Sequence, residues 1–156
     1  MAWQEEDNGS GTPAPPSEER GERRLIFRGL NFERFPNGSC KARVRLEKPD
    51  ETEVVGEARG SASETGILRC AAEASIEAVE LSIEKTGHFE LGGVKAIHAF
   101  DCTIVIVSLN VGQEGGRRRR FVGTYVVNES LEHAAAVAVL NATNRYIGGH
   151  TFSRTL

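Results

Sequence analysis

At 156 residues, 39% hydrophobic but only 6% aromatic, the chain is long enough for one domain with a core of Val, Ile, Leu and Ala. A formal net charge of -3 excludes a strong whole-molecule pull toward nucleic acid, and no apolar run of about 18 residues is present to span a membrane as a helix. The acidic, polar start lacks the apolar segment of a secretory signal, and Cys40, Cys70 and Cys102 are too widely spaced for a disulfide framework, so reduced thiols and a cytoplasmic location are expected.

Residues 1–22 are rich in Gly, Pro, Ser and Glu and are expected to form a disordered tail. Trp3 within it is either incidental or a docking anchor. From Leu25 to Phe35 the sequence reads as a strand, with Leu30, Phe32 and Phe35 close to period-two spacing. Pro36-Asn37-Gly38 is a turn. Cys40 to Glu47 then alternates, with Ala42, Val44 and Leu46 on one face and Lys41, Arg43, Arg45 and Glu47 on the other, the pattern of a half-buried strand. Pro49-Asp50 is a second turn, and Glu53 to Arg59 a third strand. A helix follows from about Thr65 to Glu84, with Ile67, Ala71, Ala74, Ala78 and Leu81 as its apolar stripe and Gly87 as its stop.

The second half runs the same way. Phe89 to Phe100 carries a strand, with Val94, Ala96 and His98 in alternation, and Thr103 to Val111 is the most strand-like run of the chain. Gly112 to Arg117 reads as a hairpin connection and Arg118 to Val127 as the returning strand. Asn128 or Ser130 caps a helix from about Leu131 to Ile147, with Leu131, Ala135, Ala138 and Ala142 as its stripe. Gly148-Gly149 ends it, leaving residues 150–156 as a short tail.

The two halves look like copies. Ile67 matches Leu131, Ala71 matches Ala135, Ala74 matches Ala138, Ala78 matches Ala142 and Ile83 matches Ile147, all at one offset. Gly56 and Gly123 sit at a slightly larger offset, ascribed to a longer first strand–helix loop. The expected fold is therefore α+β, a duplicated β-β-β-α unit with antiparallel sheets and two Ala-rich helices packed on them. Repeat 1 spans about 24–87 and repeat 2 about 88–148, within a single domain of residues 23–149.

The second copy, from Phe121-Val122-Gly123-Thr124 through Ser130 to Ala142-Thr143-Asn144-Arg145, resembles the C-terminal regulatory domain of 2-isopropylmalate synthase and of the related homocitrate and citramalate synthases. That resemblance covers roughly Cys40 to Ile147. It implies two β-β-β-α units, a homodimer, and an amino-acid or other small carboxylate ligand near the loops before the helices. The catalytic barrel of such synthases needs about 250 residues, so synthase activity is not expected of this chain.

The candidate ligand-binding residues are accordingly Gly60, Ser61 and Ser63 before the first helix and Asn128, Glu129 and Ser130 before the second, where backbone N–H groups can receive a carboxylate or phosphate. Arg117, Arg118, Arg119 and Arg120 form the sharpest local charge and offer a second contact, for an anion or an acidic partner. Strand alternation lets at most two or three of them converge, and no aromatic is interleaved for stacking on single-stranded nucleic acid. His88, His98, His133, His150 and the cysteines show no metal-ligand spacing, and no nucleophile–base pair is placed, so neither a metal, a cofactor nor catalysis is expected. Gly56 and Gly123 mark a close approach of helix to sheet or room for a ligand. The reading is a non-catalytic regulatory or small-molecule-binding dimerisation domain; the alternative is a protein- or nucleic-acid-interaction module built on the arginine run.

Overall fold

The structure is a computed structural model that describes residues 24–83, 88–112 and 116–154. The expected N-terminal tail with Trp3, the helix stop at Gly87 and the centre of the Gly112–Arg117 connection lie outside the described residues. The elements run β1 (Ile26–Arg34), β2 (Ser39–Glu47), β3 (Glu53–Ser61), α1 (Glu64–Ser82), β4 (His88–Ala99), β5 (Cys102–Gly112), β6 (Arg118–Val126) and α2 (Leu131–Arg154). Two three-stranded antiparallel meanders result, in the orders β1-β2-β3 and β4-β5-β6. A helix follows each, so the chain is a duplicated β-β-β-α unit.

The duplication extends to irregularities. The register of the first pair shifts between Phe27 and Gly29, and that of the fourth and fifth strands between Leu91 and Gly93, at matched positions. Val44 lies opposite Gly56, and Val107 opposite Gly123. A Cβ at Gly56 would stand 2.2 Å from the Ala74 carbonyl oxygen and 2.3 Å from the Ala78 nitrogen. At Gly123 it would stand 2.0 Å from the Ala138 oxygen and 2.7 Å from the Ala142 nitrogen. Both glycines therefore exist because a helix backbone rests directly on a strand, which Ala on the helix side and Gly on the sheet side together permit.

The helix-to-strand hydrogen bonds repeat as well. The Glu57 N–H donates to Glu77 Oε1 at 2.6 Å, and Asn141 Nδ2 donates to the Thr124 carbonyl at 2.9 Å, between matched positions. The Phe89 N–H donates to Glu80 Oε2 at 3.0 Å, and the Leu25 N–H to Asn144 Oδ1 at 3.3 Å, again matched. The last two cross between halves: each helix ties down the start of the other half's first strand. The helices also touch one another, where Ser75 Oγ, itself buried, donates to the Ala136 carbonyl at 3.1 Å. The core lies between the helices and the inner faces of the sheets, built on Ala42, Val44 and Leu46 in one half and Val105, Val107 and Leu109 in the other. Burial of this interlocked apolar surface is the main term holding the two halves together.

Three expectations are corrected. Leu81 is 59% exposed, because α1 packs against β2, β3, β4 and α2 and its covered side turns away from that position in its last turn. Helix α2 does not end at Gly148-Gly149 but continues to Arg154, so most of the expected 150–156 tail is helical. Glycine costs a helix about 1 kcal/mol per residue but, unlike proline, keeps its N–H, so it need not stop one. The extra residues between Gly56 and Ile67 do not lengthen a loop; they extend β3 to Ser61 and add a turn to the start of α1.

Candidate functional site

The residues before the helices are engaged in capping. Ser63 Oγ accepts from the Gly66 N–H at 3.1 Å, and Ser61 Oγ accepts from the Ser63 N–H at 3.2 Å. Gly60 and Ser61 themselves close β3. Asn128 and Glu129 are exposed between β6 and α2, and Ser130 Oγ accepts from the His133 N–H at 3.1 Å. Each serine cap stabilises its helix by about 1 kcal/mol and takes up one of the N-terminal backbone N–H groups that sequence reasoning offered to a ligand. The His133 ring lies edge-on to Phe27 at 5.3 Å and to Tyr125 at 5.8 Å, with Nε2 at 3.6 Å from Glu129 Oε2. Its Nδ1 is buried without a hydrogen-bond partner among the described residues.

The arginine run divides by strand alternation. Arg118 and Arg120 pair with Gly112 and Asn110 and share one face, whereas Arg119 pairs with Val111 on the other, its guanidinium 5.1 Å from the Phe121 ring centre. Arg117 precedes the strand. Arg118 Nη1 meets Glu90 Oε1 at 3.2 Å. Only Arg118 and Arg120 therefore act together.

The face that they share is the outer one of the second sheet, opposite the buried Val105, Val107, Leu109 and Val111. Along this face run the cross-strand rows Glu90–Asn110–Arg120, Gly93–Ser108–Val122, Lys95–Ile106–Thr124 and Ile97–Ile104–Val126. Val122 and Val126 are each 41% exposed. Beyond the last row the chain turns through Phe100 and Asp101, both at positive φ (53° and 59°), and the Phe100 side chain is 92% exposed. A two-residue hairpin of this hand favours Asn-Gly, and an aromatic residue at positive φ is strained by about 1–2 kcal/mol. Strain that puts an apolar ring in water serves no purpose inside the chain.

The outer face of the first sheet is built otherwise. Arg43 Nε meets Glu57 Oε2 at 2.9 Å, Lys41 Nζ meets Glu57 Oε1 at 3.5 Å, and Arg45 Nη1 meets Glu53 Oε2 at 3.7 Å. Arg28 pairs with Glu47. Such exposed pairs add little stability and keep a sheet face solvated.

A cavity of about 650 Å³ opens where the start of β1, the middle of β6 and the second half of α2 meet, lined by Arg24, Ile26, Thr124, Asn141, Asn144 and Arg145 among others. No carboxylate is among its described lining residues. Asn144 bonds both ways to the Leu25 backbone, and Arg145 Nη1 donates to the Val122 carbonyl at 3.4 Å. Sequence reasoning did not single out these side chains as a site.

The thiols are structural in their surroundings. Cys40 Sγ contacts the Ser61 carbonyl at 3.2 Å and Cys70 Sγ the Ala58 carbonyl at 3.3 Å. Burial, then the neighbouring Cys40 thiol, pushes the Cys70 thiol up to about 12, which keeps it protonated and a poor nucleophile. Among the described residues no group of three or more His, Cys, Asp or Glu side chains is placed to hold a metal ion. Compared with known proteins, the chain matches no protein-family model and no curated sequence.

Proposed function

We propose that the chain is a non-catalytic dimerisation domain of regulatory type, in which two copies pack through the outer faces of their second sheets. The observation that carries this reading is the apolar row Ile97–Ile104–Val126, with Val122, Ile106 and the strained Phe100 beside it, on a face that the first sheet keeps charged. Aromatic and aliphatic anchors of this kind are what interface centres are made of. The resemblance to the synthase regulatory domains, itself carried by sequence, supports the same reading.

Charge suits a second copy of the chain as the partner. Arg118 and Arg120 stand at one end of the face, and Phe100 with Asp101 at the other. A two-fold axis across the strands sets each basic end on the Phe100–Asp101 end of the other copy, giving ion pairs and cation–π contacts. A second copy in this arrangement is complementary in charge.

The test is charge exchange followed by light scattering. Asp101→Arg alone and Arg118→Asp/Arg120→Asp alone are each expected to shift the wild-type dimer toward monomer, and an equimolar mixture to recover the dimer, since both ends of the mixed pair are again complementary. A wild-type monomer at about 1 mM, or a dimer indifferent to both variants, would overturn the reading.

A further inference from the structure

We propose that the cavity between β1, β6 and α2 binds a small anion through carboxylate or phosphate oxygens, with Arg24 and Arg145 as its charged ligands. The proposal does not depend on dimerisation. Its strongest support is an internal control, because the fold builds the same junction twice. The second instance lies where β4, β3 and α1 meet, and its residues correspond position by position.

At the matched junction, His88 stands for Arg24, Glu90 for Ile26, Glu57 for Thr124, Glu77 for Asn141, Glu80 for Asn144 and Leu81 for Arg145. The start of the strand makes the same demand in both. A strand-start N–H needs an acceptor, met by Glu80 Oε2 at 3.0 Å in one and by Asn144 Oδ1 at 3.3 Å in the other. The helix also meets the last strand of the meander through Glu77 Oε1 at 2.6 Å in one and Asn141 Nδ2 at 2.9 Å in the other. A carboxylate therefore satisfies the strand-start N–H as well as a carboxamide does, whereas Asn141 and Asn144 also donate to the Thr124 and Leu25 carbonyls, which an ionised carboxylate cannot do.

The charge is what differs. One junction carries glutamates at four of these positions, of which Glu80 lies 3.8 Å from His88 while Glu57 and Glu90 pair with Arg43 and Arg118. The other gathers two guanidinium groups and no carboxylate among its described lining residues. A carboxylate at position 141 or 144 would pair with Arg145 or Arg24 and neutralise it; a carboxamide leaves the positive charge for an incoming anion and adds neutral N–H and C=O groups that can fix its orientation. Arg145 spends one N–H on the Val122 carbonyl and keeps its others. Arg24 is exposed at the rim, and Ile26, 43% exposed, gives an apolar wall. A volume of about 650 Å³ suits a small organic anion.

The experiment is isothermal titration of the full chain with inorganic phosphate and, separately, citrate. At least one is expected to bind with Kd below about 1 mM, and which one does so separates the two oxygen chemistries. Arg24→Ala/Arg145→Ala is expected to weaken binding at least about tenfold, since each charge-assisted bond carries that much. Asn144→Glu/Arg145→Leu rebuilds the acidic junction and is expected to abolish binding, while thermal unfolding shows the fold retained. Arg59→Ala, on the first sheet, leaves the affinity unchanged. Neither probe binding the wild type, or equal binding by Arg24→Ala/Arg145→Ala, would overturn the proposal.

Discussion

The outer faces of the two sheets are the same surface written twice. In the first sheet the row Glu33–Lys41–Arg59 occupies the place that Ile97–Ile104–Val126 occupies in the second. In the next row Asn31–Arg43–Glu57 answers Lys95–Ile106–Thr124. The inner faces do not differ in kind: Val44 and Leu46 play the parts of Val107 and Leu109 under equally close helices. Selection for folding alone would treat both outer faces as solvent-facing. The contrast lies outside the core, and a contiguous exposed apolar row is the kind of surface that marks an interaction site.

The largest expected effect tests whether the halves are copies. Gly56→Val and Gly123→Val each drive side-chain carbons into helix backbone that has nowhere to move. Each is expected to cost about 3 kcal/mol or more, measured by urea unfolding, and the two costs to agree closely. A tolerated Gly123→Val beside an intolerant Gly56→Val would break the equivalence from which both proposals start.

Phe100→Gly sharpens the contrast at the hairpin tip, where the first half has a longer turn ending in Gly38. Glycine relieves the positive-φ strain, so the monomer is expected to gain about 1 kcal/mol in thermal or urea unfolding. Self-association is expected to weaken in the same variant, because the exposed ring is lost. Opposite signs from one substitution would separate a surface kept for a partner from one kept for the fold.

The smallest effect concerns Cys70, whose matched position in the second half is Ala134. The folded thiol lies near 12, above its ordinary value, so the folded state holds a proton that the unfolded chain gives up as the medium becomes alkaline. Its contribution is fully present at about pH 8 and is lost progressively from about pH 9 toward 12. Comparing unfolding midpoints at about pH 8 and about pH 10.5 should show a fall that is shallower in Cys70→Ala.

Much of this fold was legible in the sequence, because its determinants are local and repeated. The alternation of Cys40 to Glu47 and the Ala-rich stripes each reflect a period that a strand or helix imposes on its own residues. The exposure of Leu81 was not legible, since it depends on what packs against the helix and not on its own pattern, nor was the run of α2 past Gly148-Gly149, because a glycine keeps its N–H and can either end or continue a helix. That the pre-helix serines Ser63 and Ser130 cap their helices follows from the loop geometry, which residue type alone leaves open. A signal for the apolar face was present in Ile104-Val105-Ile106-Val107, an unbroken apolar run where β2 alternates, which is how a strand covered on both faces reads. The cavity was not legible, because Arg24, Asn141 and Arg145 come together only through the crossing of each helix onto the other half.

The most direct measurement moves the first face onto the second. Ile97→Glu/Ile104→Lys/Val126→Arg installs the residues that the first sheet carries in that row, and sedimentation velocity across a concentration series reads the assembly. The wild type is expected to be a dimer, and the variant a folded monomer with its association weakened about 100-fold or more. A variant that still dimerises like the wild type would contradict the account, as would a wild type that stays monomeric throughout.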